Sequence, residues 1–148
     1  MAPSSRIVIL DDRLLIEELL VGLRKSRTRL YTTAYWYYRA CRAAALGAGG
    51  HLSGPFEDLS APDQEQATLS LLELRADIEL PDPRPTVLAM AEVARRHPRL
   101  NLLNLEAVAA GQLLEAHLWL SPESAAGVLP GVLDDEGVTW QTVAIDPH

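Results

Sequence analysis

The sequence predicts an α/β fold: a three-layer α/β/α arrangement around a short, mostly parallel sheet of about four or five strands. Three observations lead there. Arg6-Ile-Val-Ile-Leu10 is a continuous β-branched run of the kind buried on both faces of a parallel sheet. His117-Leu-Trp-Leu120 repeats that character, and helical patterns fill the chain between the two. Strands separated by helices pair in parallel through right-handed crossovers, and here helix outweighs strand.

The elements follow in order. Arg6–Leu10 ends on Asp11-Asp12, and Leu14–Leu23 carries dense apolar residues around Glu17 and Glu18, a helix packed on the sheet. Its end, Arg24 to Arg29, is basic, as a helix C-terminus prefers. Tyr31–Leu46 is a second helix, with Thr32 or Thr33 as its cap, and Gly47–Gly54 is a flexible loop. Ser60-Ala-Pro-Asp63 is a capping pattern that opens a helix to about Glu73. Asp77–Leu80 reads as a short strand and Pro81–Pro85 as a rigid connector. A helix over Thr86–Arg96 stops at His97, because a residue before proline is biased out of the helical region.

Leu102 to Glu123 organises the rest. Leu102, Ala109 and Leu113 recur at helical spacing, with Glu106 in the middle of that stripe. A carboxylate on an apolar face is costly unless it is paired, protonated or bound to a cation. After the strand at His117–Leu120, the Ser121 hydroxyl suits a helix cap and Pro122 the first helical position. Ser121–Leu133 reads as a short helix interrupted near Pro130-Gly131, and Gly137–Val143 as a last strand.

With 148 residues, residues 1–148 form one domain large enough for a substantial core. A net charge of −7 excludes adhesion to nucleic acid or anionic membrane by bulk charge, so such contact needs a local basic patch or bridging cations. The single cysteine, Cys41, excludes an internal disulfide and fits a reducing cytoplasm. No apolar run approaches the roughly 18–20 residues of a membrane span, and Met1-Ala-Pro-Ser-Ser5 lacks signal-peptide character. Gly47-Ala-Gly-Gly50 follows a helix and lacks the lysine of a phosphate loop. The four histidines are scattered, without zinc spacing, and no serine sits in a nucleophile elbow.

Acids at strand ends form the strongest constellation. Asp11 and Asp12 follow the first strand, Glu123 follows the later one, and Glu106 lies on the helix before it. Residues leaving the carboxyl ends of neighbouring parallel strands converge in one crevice. Carboxylates gathered there suit Mg²⁺ or Mn²⁺, which activate water toward a phosphodiester. The alternative is structural: Asp11 and Asp12 capping the first helix, and Glu123 complementing a helix N-terminus.

The order of these motifs resembles the PIN domain, a small nuclease fold of bacterial toxin–antitoxin ribonucleases. Ile7-Val-Ile-Leu-Asp11 with the helix after it resembles the family's first acidic motif. Leu105-Glu-Ala-Val-Ala-Ala110 resembles the later motif in which an acid begins a run of alanines, and Leu118-Trp-Leu-Ser-Pro-Glu123 resembles the last. The resemblance implies a metal-dependent ribonuclease with Asp11, Glu106 and Glu123 as catalytic residues and Asp12 as a further ligand for Mg²⁺ or Mn²⁺. It also implies an RNA substrate, an antitoxin-like protein partner and a homodimer, for which Leu19, Leu20, Val21 and Leu23 offer apolar surface.

The chain departs from that pattern. Glutamate stands at 106 and 123 where the family has aspartate, and no acid occurs from Arg24 to Phe56, where its second acidic motif lies. Arg39 occupies that place. Two functions follow: a ribonuclease-descended domain with weakened or lost activity, or a non-catalytic binding or assembly protein whose acidic pocket Arg39 neutralises. Tyr35, Arg39 and Arg42 share a helical face that can stack on bases and contact phosphate. Packing of Tyr35–Tyr38 against the sheet is the competing reading.

Overall fold

The computed structural model describes residues 6–23, 27–46 and 60–144. Five strands form one all-parallel sheet in the order β3-β2-β1-β4-β5: β1 (Arg6–Leu10), β2 (Thr28–Thr32), β3 (Ile78–Glu79), β4 (His117–Leu120) and β5 (Trp140–Thr142). Seven helices accompany it among the described residues: α1 (Asp12–Leu20), α2 (Ala34–Leu46), α3 (Ala61–Leu72), α4 (Pro83–Arg96), α5 (Leu102–Leu114), α6 (Pro122–Ala125) and α7 (Leu129–Asp135). The expected loop at Gly47–Gly54 lies outside the described residues.

Alternation along β1 explains why the run is apolar throughout. Val8 and Leu10 enter one core with Leu14, Leu15 and Ile16 of α1, Ala40 and Ala43 of α2, and Ala67 and Leu71 of α3. Ile9 enters the other with Val93 of α4, Leu105 and Val108 of α5, and Leu129 and Leu133 of α7. Helices therefore cover both faces. Small residues bring α5 close to the sheet: a Cβ on Gly111 would lie 2.7 Å from Val138 Cγ1 and 3.0 Å from Leu118 Cδ1. The run Ala107-Val-Ala-Ala-Gly111 is wholly buried for that reason.

The chain builds outward from β1 through β2 to β3, then crosses back through α4 and α5 to place β4 on the other side of β1. Strand order reverses between β1 and β4, and the crevice beyond their carboxyl ends is the preferred ligand position of open α/β sheets. Asp11 and Ser121 both stand at that point.

Several boundaries differ from the sequence reading. The basic stretch before Tyr31 contains β2, not only a helix tail, so α2 starts at Ala34. Arg29 there pairs with Glu79 of β3 through Nε and Nη2, at 2.5 and 2.8 Å. Pro83 and Pro85 belong to α4, which Asp82 caps. The helix after β4 breaks at Ala126–Val128, not at Pro130, because Pro130 sits in the first turn of α7, where a missing N–H does no harm. On α5 the ends of the expected stripe, Leu102 and Leu113, are exposed, while its middle is buried. Leu19, Leu20 and Leu23 pack against the first core, so of the surface expected for pairing only Val21 is exposed.

Glu136, just past α7, ties three elements together. It accepts from Arg96 at 2.6 Å, from Gln112 at 3.0 Å, and lies 3.2 Å from His97 Nε2. The Arg96 guanidinium holds its carboxyl down at about 2. A depressed carboxyl contributes stability above its unfolded value, about 4.5, and loses it as the pH falls through the folded value. Thermal unfolding followed from pH ~5 to ~2 should thus show a steep loss in the wild type and a shallower one in Glu136→Gln.

Candidate functional site

Asp11 is wholly buried directly after β1. Its Oδ1 accepts the Leu14 N–H at 2.9 Å, capping α1. Its Oδ2 accepts both the Ser121 N–H at 2.8 Å and the Ser121 hydroxyl at 2.6 Å. Ser121 occupies the cap position of α6, yet its hydroxyl makes no capping bond there, because it is turned to Asp11. One carboxylate therefore joins β1, α1 and the exit of β4.

Glu106 faces the start of α2. Its Oε1 accepts from Tyr35 N at 2.8 Å and its Oε2 from Ala34 N at 3.1 Å. Thr33 Oγ1 accepts from Trp36 N at 3.1 Å. The first three N–H groups of α2, which no helix can satisfy internally, thus all have partners, two of them supplied by α5. Charge and direction agree, since a carboxylate is favoured at the positive end of a helix. That resolves the acid on the apolar stripe.

Asp12, also buried, accepts from Arg13 N at 2.8 Å and meets Arg39 Nε at 3.2 Å. Arg39 thus stands beside the acids, with Asp12 as its partner. Its side chain is 42% exposed, and an ion pair so open to water contributes about 1 kcal/mol or less. Glu106 makes two charge-assisted hydrogen bonds, each worth about 1.5–3 kcal/mol. The stronger commitment of the pocket is that of Glu106.

Glu123 is exposed, in the first turn of α6. With Asp12, Arg39, Asn104, Ser124 and Val128 it lines an open cleft of about 290 Å³ beyond the strand ends. Trp36 closes its floor and is buried in the second core. The aromatic run divides: Trp36 is core, the Tyr37 hydroxyl donates to Leu71 O at 2.7 Å, and Tyr35 and Tyr38 are exposed. Arg42 is exposed as well.

The expected divalent centre would draw on oxygens of Asp11, Asp12, Glu106 and Glu123. Both oxygens of Asp11 and of Glu106 already accept N–H or O–H donors, and Asp12 faces a guanidinium. Among the described residues no group of three or more His, Cys, Asp or Glu is arranged to hold a metal ion. A hard cation would therefore share Asp11 and Glu106 with donors already in place and meet Arg39 at Asp12, while exposed Glu123 lines the same cleft.

No family model matches the sequence, and no curated protein matches it. A solved structure does: VapBC-1 from nontypeable Haemophilus influenzae, at 2.2 Å resolution, with a TM-score of 0.53 and 16% identity. The match covers 92% of this chain and 97% of that chain. The fold is PIN-like. Asp11 follows β1, Glu106 lies in α5 and Glu123 follows β4. No helix among the described residues is long and apolar enough to cross a membrane.

Two features escaped the sequence. Asn104 and Val128 line the cleft without any motif to mark them. Arg95-Arg-His-Pro-Arg99 is a dense basic segment on an acidic chain, and that contrast was the available signal.

A substitution pair separates structural from chemical acids. Asp11→Ala should destabilise by about 3 kcal/mol in denaturant unfolding, from a lost cap and two lost bonds to Ser121. Glu123→Ala, at an exposed position, should leave stability within about 0.5 kcal/mol.

Proposed function

We propose that this chain is a PIN-like domain of metal-dependent ribonuclease descent whose cleft now serves binding or assembly instead of cleavage. One observation carries the reading: the Glu106 carboxylate accepts the Ala34 and Tyr35 N–H groups, the start of α2. The acid of the alanine motif thereby acts as a helix cap. Arg39 adds a cation beside Asp12, where it lowers the affinity of the pocket for a second one. By the same descent the partner is an antitoxin-like protein, the assembly a homodimer, and RNA the polymer that Tyr35, Arg39 and Arg42 would meet.

A second reading keeps residual Mg²⁺- or Mn²⁺-dependent ribonuclease activity. It is favoured by Asp12 and Glu123 lining the same open cleft, with Arg39 held there only weakly.

Calorimetry and an RNA cleavage assay divide the two. The first reading expects wild-type Mn²⁺ binding weaker than about 1 mM and no cleavage above background. Arg39→Glu, which exchanges the cation for a carboxylate beside Asp12 and Glu123, should strengthen Mn²⁺ binding at least about tenfold. Mg²⁺-dependent cleavage by the wild type, lost in Glu123→Gln at unchanged stability, would put the enzyme first.

A further inference from the structure

A second groove lies beside the cleft, between the α4–α5 connector and the start of α7. It has a volume of about 450 Å³. Pro98, Leu100, Val128 and Val132 give it an aliphatic lining, and Arg96, His97 and Arg99 supply its cationic side. Val128, 66% exposed, lines both groove and cleft and so forms the wall between them.

The three basic groups differ in what they offer a ligand. Arg96 is held by Glu136 through Nε and Nη2, and His97 turns Nε2 to the same carboxylate. Arg99 is exposed and forms no ion pair with a described residue. The groove thus combines one available guanidinium, an aliphatic floor and a rigid backing. We propose that it is a docking site for a partner-protein segment presenting aliphatic side chains beside a carboxylate.

Charge complementarity selects that occupant. An arginine fork takes a carboxylate through two parallel hydrogen bonds, and the aliphatic floor rewards leucine- or isoleucine-type burial. A nucleic acid fits less well, because no Phe, Tyr or Trp lines the groove for bases to stack on and the His97 ring is tied to Glu136. Its affinity would also rest on neutralised phosphates, and one available arginine neutralises about one. On a chain of net charge −7, a polyanion meets repulsion that a segment with one or two acids largely escapes. The inference goes beyond the nuclease-descent reading and needs neither a metal nor RNA.

The test is a titration of the isotope-labelled full chain, followed by amide chemical shifts, with three probes: an acetylated leucine–glutamate peptide, its leucine–lysine counterpart, and oligouridylate. The acidic peptide should shift the amides of Arg96, His97, Arg99, Leu100, Val128 and Val132, and its affinity should fall about tenfold in both Arg99→Glu and Val128→Asp. Both positions are exposed, and unchanged spectra elsewhere verify the fold of each variant. The inference is overturned if these amides stay still at millimolar acidic peptide, or if the lysine peptide or oligouridylate shifts them as strongly. Oligouridylate shifts confined to Arg39, Asn104 and Ser124 would bear on the cleft alone, so failure of either reading is visible separately.

Discussion

The carboxylate of Asp11 is the interaction on which the rest of this fold depends. Strand order reverses between β1 and β4, so no crossover helix joins those two strands directly where they end. Asp11 supplies the connection: it caps α1 with one oxygen and accepts two donors from Ser121 with the other. Such a charge, wholly buried, is tolerable because three donors satisfy it. Three of its roughly four acceptor sites are thereby occupied.

Glu106 repeats that logic from the other side of the crevice. Parallel sheets bring helix N-termini to the carboxyl ends of their strands, and α2 presents three unpaired N–H groups there. Thr33 satisfies one, and Glu106 the other two. The extra methylene of glutamate is what lets α5 reach across to α2; an aspartate from the same backbone position would stop about a bond length short. Arg39 then takes Asp12, the remaining buried acid at the strand end. Glu123 is the exposed acid of the cleft.

How far this was legible depends on what each feature rests upon. β1, α3 and β4 were readable because burial on both faces and capping chemistry leave marks in a few adjacent residues. β2 was not: Thr28-Arg-Leu-Tyr-Thr32 holds only two adjacent apolar residues, follows a basic run and leads straight into a helix, so it merged with its neighbour. The acids were picked out by position along the chain, and capping of α1 by Asp11 was one of the two roles read for it; the bonds of Asp11 to Ser121 and of Glu106 to α2 were not legible, because they depend on helix placement tens of residues away. Arg39 stands beside the acids, and which of them it meets, Asp12, was not legible from spacing. Asn104, Val128 and Arg99 matter only through surfaces that meet in three dimensions.

The claim that these acids serve the backbone and not a cation is most directly tested by diffraction from crystals grown in excess Mn²⁺, using the anomalous signal of the metal. The pocket described here should show no anomalous peak among Asp11, Asp12, Glu106 and Glu123, with Glu106 still against Ala34 and Tyr35. A peak about 2 Å from oxygens of two or more of these residues, with Glu106 swung away from α2, would contradict it.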